Sequence, residues 1–381
     1  MIPTDRIVHW LSELIQIPSV GPENAGPRAG VPGEAAMVEA LERWLGAFGA
    51  DVNTEEVEPG RYNLYAVLEG SSDRWQAVDV HTDTVGVETM TIDPFTPFIR
   101  DGRIYGRGAT DDKASLAIVL AAFEQLQNQS KPPPHNLLLC ASAIEETGCK
   151  GAPVFANWLD RKSIRPDELL VAEPTLCAPV YGHKGSGGIE ITVKGVAAHT
   201  SIPEEGKNAI SAAAELILAL GAEHVRLRSL EPTTEVGTAS LTVSLIRGGE
   251  ARNIVPPTCT LSVDRRVVPG EDPDEVARAL ERFAAQTCSQ PITVSALSRI
   301  PAFYQPPGTA WQKRLADWSG QPPGVVPYGT NAFAYPGSAS EVIVFGPGSI
   351  DDAHRDDESI AIHELERAAH VYERWWQLPK A

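Results

Sequence analysis

The feature that most constrains this chain is a set of short apolar runs, each of which stops at an acid or a histidine. Residues 136–143 are apolar almost throughout and lead straight into Ile144–Glu145–Glu146; 168–172 ends at Glu173; 76–80 ends at His81–Thr82–Asp83. A fourth run, 342–345, is followed beyond Gly346–Pro347–Gly348 by His354. A strand without polar alternation is apolar on both faces, so it belongs inside a sheet covered by helices on both sides. Helical stripes separate these runs, with Met37, Leu41, Trp44 and Leu45 in 34–48 and a second helix expected over 113–126. This order predicts an α/β fold, a mostly parallel mixed sheet flanked by helices.

The pattern changes near Gly182. Ile189, Ile191 and Val193 alternate with polar neighbours, as in a sheet with one wet face. Helices over 208–220 and 274–285 and strands over 239–246 and 258–267 complete a second, α+β pattern. At roughly 150 residues per domain, 381 residues allow two or three domains. The division expected is 1–181 for the first part of a catalytic domain, 182–291 for an inserted domain, and 292–381 for the catalytic domain resumed.

Charge and composition narrow the function classes. The formal charge of 32 − 50 = −18 repels polyanions, so nucleic acid is not an expected partner. No apolar run approaches the ~18 residues of a membrane span. Ile7, Trp10, Leu11, Leu14 and Ile15 behind Thr4 read as a docked amphipathic helix rather than a signal peptide. The odd set of five cysteines (Cys140, Cys149, Cys177, Cys259, Cys288) sits mostly in apolar company, which favours a reducing, cytoplasmic setting.

The chemistry-bearing residues cluster where open α/β sheets build their sites, at the carboxyl ends of strands. His81 and Asp83, two apart, face one side of a strand, and a carboxylate beside an imidazole fixes its tautomer. Gly106–Arg107–Gly108–Ala109–Thr110–Asp111 forms a flexible loop ahead of a helix, where Asp111 is either a cap or a ligand. The adjacent acids Glu145 and Glu146 repel unless a cation or a shared proton relieves them. Each residue alone has a plain structural reading. Together, two histidines and three carboxylates without thiolates suit Zn²⁺, Co²⁺ or Mn²⁺, in a pair that shares one bridging acid and activates a water. That combination describes a binuclear hydrolase.

At these residues the sequence resembles the M20 family of binuclear zinc amidohydrolases and exopeptidases, nearest its acetylornithine deacetylase and succinyl-diaminopimelate desuccinylase branch. The resemblance is carried by His81–Thr82–Asp83, Asp93–Pro94–Phe95, Gly106 to Asp111, Glu145–Glu146, Glu173–Pro174–Thr175, Ala198–His199–Thr200–Ser201, Asn253–Ile254–Val255–Pro256 and His354. It implies that His81 and Glu173 hold one zinc, Glu146 and His354 the other, and that Asp111 bridges. Asp83 would orient His81, and Glu145 would be the general base. The inserted domain would be a lid that also forms a homodimer. In it His199 would reach the partner subunit's site and stabilise the oxyanion there, Asn253 would lie close to the substrate, and Arg266 would bind the substrate carboxylate, with Gly329 and Thr330 nearby. The implied activity is cleavage of the amide of a small N-acyl amino acid, as in arginine biosynthesis. A dipeptidase, carboxypeptidase or desuccinylase activity and a non-catalytic ligand-binding relative are the alternatives. The chain departs from that branch at Asp112 and Ala114, where Met and Gly are usual, and at Asn331, where an acid is common and bears on how a cationic side chain is read.

Overall fold

A computed structural model describes residues 2–127, 129 and 131–377. The chain divides into two compact units. The first comprises Met1–Tyr181, Gln305–Gly324 and Thr330–Ala381; the second comprises Gly182–Tyr304 and Val325–Gly329.

The first unit is built on a mixed sheet. Its central strands, Asn136–Ser142, Trp75–His81, Glu168–Val171 and Glu341–Val344, lie side by side in that order and are all parallel. These are the apolar runs of the sequence, buried on both faces as the absence of alternation requires. Beyond Asn136–Ser142 the sheet turns antiparallel through Arg61–Leu68 and the outer strand Asp51–Glu58. That outer strand escapes a reading by apolar runs because it is largely solvated, with Glu55, Glu56 and Glu58 in an eight-residue span. The helix Lys113–Gln127 is buried almost all round, as its weak amphipathicity demands. Helix Thr4–Ile15 packs on it, and Trp10 meets Trp44 of helix Ala35–Ala47 edge to face. Tyr65 stacks on Phe155 and Trp158 of helix Gly151–Lys162.

A small three-stranded sheet of Phe98–Arg100, Arg103–Tyr105 and Ser359–Ala361 stands apart. Its third strand occupies the first residues of the long C-terminal helix expected over 358–376, which begins at Ile362 and ends at Trp375.

The second unit is an antiparallel sheet ordered Ser240–Gly248, Thr258–Val267, Ile189–Lys194, Ile292–Ala296. Its buried positions alternate, with Ile189, Ile191 and Val193 facing Cys259, Leu261 and Val263 in one core. Helices Ala209–Arg228 and Pro273–Thr287 cover that face, each started by a side-chain cap, Asn208 and Asp272 respectively. No helix among the described residues is long and apolar enough to cross a membrane.

Candidate metal centre

Three parallel strands deliver their next residues to one edge of the first unit. His81 is the last residue of its strand, Glu145 and Glu146 follow Asn136–Ser142 by three and four residues, and Glu173 follows Glu168–Val171 by two. Asp111 arrives from elsewhere, on the loop between Arg103–Tyr105 of the small sheet and helix Lys113–Gln127, and His354 sits in a turn ten residues past Glu341–Val344. Three of the segments are therefore strand ends, and the other two are loops.

These side chains converge. One ligand atom each from His81, Asp111 and Glu173 lie within 4.8 Å of one another, and so do one each from Asp111, Glu146 and His354. His81 Nε2 is 2.9 Å from Asp111 Oδ1, while His354 Nε2 is 3.1 Å from Asp111 Oδ2 and 3.0 Å from Glu146 Oε1. Asp111 thus turns one oxygen to each histidine. It is not the helix cap: the neighbouring Asp112 accepts from Ser115 N at 3.4 Å.

The protonation pattern is that of a site short of positive charge. His81 Nδ1 donates to the backbone carbonyl of Asp83 at 3.0 Å, so a neutral ring presents a bare lone pair at Nε2 to a carboxylate oxygen. Two acceptors at that distance need either a proton or a metal cation between them. Burial lowers the His81 pKa, yet Asp111 more than offsets this and holds it well above its ordinary value. Hydrogen bonds to Asp111 and Glu146 push His354 up to about 10. Burial pushes Asp111 up, but the two histidines hold it below the usual carboxylate range. Burial, with repulsion from Glu146 and Asp83, pushes Glu145 up to about 8; burial, with repulsion from Glu145, puts Glu173 well above the usual range. Oxygen and imidazole donors in two triads sharing one acid fit a pair of divalent ions.

The surroundings contain residues that no sequence motif exposed. Glu358, buried, accepts from Arg107 Nη1 at 2.5 Å, Thr110 N at 2.9 Å and Asp111 N at 3.2 Å, and so fixes the loop that carries Asp111. Glu34 and Arg61 form a buried pair beside Asp83. The buried Arg107 was the available signal for Glu358, since a guanidinium between two glycines needs a counter-charge. Glu34 and Arg61 lie in unremarkable local sequence and gave none.

Several expected placements differ. The Asp83 carboxylate is 3.8 Å from His81 Nδ1 and instead accepts from Glu145 N and Glu146 N at 3.0 and 3.1 Å, so the contact that orients the imidazole comes from Asp83's carbonyl. Thr330 is fully buried, its hydroxyl accepting from Ala332 N at the start of the short helix Asn331–Ala334. Asn331 is also buried and donates to Asp79 Oδ2 at 3.0 Å and Ser142 Oγ at 3.1 Å. It is an interior partner of Asp79.

His199, Asn253, Arg266 and Gly329 belong to the second unit. His199 is exposed, bridges to Ile254, and takes Ser201 N and Oγ on Nδ1 at 3.2 and 2.7 Å. Asn253 lies beside it, its carbonyl accepting from Thr200 N at 3.1 Å. Arg266 is half-buried and pairs with Asp264 at 2.9 Å. A side chain on Gly329 would meet the Lys184 carbonyl at 3.2 Å.

Fold and paired ligand triads together are those of an α/β metallohydrolase. The sequence profile described as Peptidase family M20/M25/M40 matches residues 77–378, and the chain belongs to that family. It is an amidohydrolase. It is 31% identical over 377 residues to an acetylornithine deacetylase of Proteus mirabilis (strain HI4320), covering 96% of this chain and 94% of that one. Among solved structures it is similar to an M20 family metallo-carboxypeptidase from Sulfolobus solfataricus (TM-score 0.79, 18% identity, 98% and 99% of the two chains). It is also similar to a dinuclear metal-binding M20 peptidase from Bacillus subtilis (TM-score 0.65, 14% identity, 98% and 97%).

Proposed function

We propose that this chain hydrolyses the amide of an N-acyl amino acid, with N-acetylornithine as the leading substrate and Glu145 as general base. One observation carries the reading: two ligand triads share Asp111, and a further acid, Glu145, stands next to them without belonging to either. His81, Asp111 and Glu173 would hold one ion and Asp111, Glu146 and His354 the other, Zn²⁺ being favoured over Co²⁺ or Mn²⁺. When bound, such ions would supply polarisation of the acyl carbonyl and a water acidified to a pKa of ~7. Glu145 takes the proton of the attacking water and returns it to the leaving amine, releasing a carboxylate and a free amine. Asp83 holds the backbone of Glu145 and Glu146. Because Ser201 N–H points at Nδ1, neutral His199 carries its proton on Nε2 and is a donor for the oxyanion. Arg266 is suited to a bidentate grip on the α-carboxylate, with Asn253 and Gly329 as its companions. The Thr330 hydroxyl is already committed to its helix cap.

The identity to an acetylornithine deacetylase over nearly the whole chain supports the acyl-amino-acid reading; the likeness to a metallo-carboxypeptidase favours cleavage of a peptide bond as the second. Comparing kcat/KM for N-acetylornithine, N-succinyl-diaminopimelate and dipeptides with Zn²⁺, Co²⁺ or Mn²⁺ added decides between them. Glu145→Ala is expected to lower kcat by about 10²–10⁴-fold with metal content unchanged; wild-type turnover would remove the base. Rescue of an arginine-requiring strain that lacks its deacetylase tests the biosynthetic role. All five cysteines are free, which suits a cytoplasmic setting.

A homodimer through the second unit fits its surface. Ile210, Leu218 and Val225 form an exposed apolar stripe on helix Ala209–Arg228, and Leu245 and Ile246 are exposed on the edge strand Ser240–Gly248. Leu218→Glu is expected to yield monomers in sedimentation; a monomeric wild type would end this reading.

A further inference from the structure

The segment that carries Glu145 is held by its backbone. Four consecutive N–H groups leaving strand Asn136–Ser142 are each taken by a buried side chain. Ala143 donates to Asn63 Oδ1 at 3.0 Å, Ile144 to Glu34 Oε1 at 3.3 Å, Glu145 to Asp83 Oδ1 at 3.0 Å and Glu146 to Asp83 Oδ2 at 3.1 Å. All three acceptor residues are completely buried. Within this segment Ile144 has φ +59°, a conformation that a β-branched residue adopts only when its surroundings impose it.

Two of the three clamps are carboxylates, and interior carboxylates persist only when their charge is matched. Arg61 supplies the match. Its Nε donates to Glu34 Oε2 at 2.8 Å and its Nη2 also donates to Glu34. The same Nη2 lies 3.9 Å from Asp83 Oδ2, and Nη1 reaches Glu23 at 3.2 Å. Among the described residues Glu34 has no other ion pair. The planar fork of a guanidinium serves two acids at once, which the single point charge of a lysine does not. Arg61 comes from the start of strand Arg61–Leu68, Glu34 from just before helix Ala35–Ala47, and Asp83 from just past strand Trp75–His81. Three separate segments therefore meet on one loop.

We propose that Arg61 is a positioning residue for Glu145, acting through Glu34 and Asp83, the two acids that fix the backbone from which the base projects. The proposal rests on the reading of Glu145 as the base. It does not require Arg61 to touch substrate.

Arg61→Met keeps the length of the side chain and removes its charge; Arg61→Lys keeps the charge and loses the fork; Glu34→Gln keeps an acceptor for Ile144 N. Each is measured by peptide-resolved hydrogen exchange, by metal content per chain, and by kcat and KM with N-acetylornithine or whichever N-acyl amino acid turns over fastest. Arg61→Met is expected to lower kcat by about 10–100-fold with KM within about twofold and metal content unchanged. Exchange should quicken in peptides covering 143–151 and not elsewhere in the first unit. Arg61→Lys should recover part of the loss, and Glu34→Gln should give a smaller effect of the same kind. Placed in Glu145→Ala, Arg61→Met should remove nothing further. Wild-type kcat in Arg61→Met overturns the proposal. So does exchange that rises evenly through the first unit while metal content and kcat fall together, the signature of a merely structural pair. If Arg61→Met does not fold, Arg61→Lys and Glu34→Gln decide by the same local exchange. A Glu145→Ala variant with full turnover sinks the base assignment instead, and the exchange result then still reports whether Arg61 holds the loop.

Discussion

The two units spend their interiors differently. The first buries Glu34, Arg61, Asp79, His81, Asp83, Arg107, Asp111, Asp112, Lys113, Glu173 and Glu358, most of them around one edge of its sheet. Among the described residues the second buries His183, Lys184 and Arg265 as its histidine, lysine and arginine side chains, beneath a core of alternating aliphatic residues, and keeps His199, Asn253 and Arg266 at or near its surface. Each interior charge costs desolvation that only a partner offsets. The first unit carries that cost around Asp111, where the two ligand triads converge. The second unit's interior is ordinary apolar burial.

The largest effect that tests this contrast comes from the metal ligands. Asp111→Ala removes the oxygens common to both triads, and turnover is expected to fall at least about 10³-fold with both ions lost. His354→Ala should leave close to one ion per chain, because the His81–Asp111–Glu173 triad is intact and buried, whereas the His354 side chain is 46% exposed. Elemental analysis after gel filtration reads both counts. Chelation should raise hydrogen exchange around residues 81, 111, 146 and 173 and leave 189–194 and 258–267 unchanged. Equal loosening of both units would break the comparison.

A smaller effect, from the second unit, is a dependence on pH. His183 is fully buried, donates from Nδ1 to the Lys184 carbonyl at 2.9 Å, and packs on Phe303. Burial lowers its pKa to about 4. The unfolded chain therefore takes up this proton first as pH falls. The contribution of His183 to stability is complete above about pH 6.5 and is lost as pH drops toward 4. Between pH 7 and 5 the loss is about 2 kcal/mol. Denaturation midpoints of wild type and His183→Gln at those two pH values measure it, and equal slopes for the two proteins would show that His183 is not the group responsible.

Much of this was legible in residue order. The uninterrupted apolar runs located the parallel centre of the sheet, and the residues just past them included His81, Glu145, Glu146 and Glu173. Alternation at Ile189, Ile191 and Val193 marked the change of architecture. What stayed hidden has a common physical cause: it depends on partners far away in the chain. Glu358 and Asp111 are 247 residues apart, and Glu34 meets Ile144 across 110. The solvated strand Asp51–Glu58 has no apolar periodicity to betray it, and the conversion of 359–361 from helix to strand is imposed by pairing with Arg103–Tyr105. His81 and Asp83 do sit two apart, yet spacing alone did not reveal that the carbonyl, not the carboxylate, takes the imidazole proton.

Asn331 gives the finest of these tests. Its amide nitrogen lies 3.0 Å from Asp79 Oδ2, and the Tyr335 hydroxyl donates to the same oxygen at 2.5 Å. Asp79 is completely enclosed, and burial raises its pKa despite those donors. An aspartate at 331 would set a second carboxyl against the first, forfeiting a donor and forcing the two groups to share a proton. Asn331→Asp is therefore expected to lose on the order of 1–3 kcal/mol of stability while KM for N-acetylornithine stays within about twofold. A substrate-reading position would behave in the opposite way, since an added acid there would attract the ornithine ammonium and lower KM with little change in melting. The sign of the KM change thus separates a buried partner of Asp79 from a group that faces the ligand.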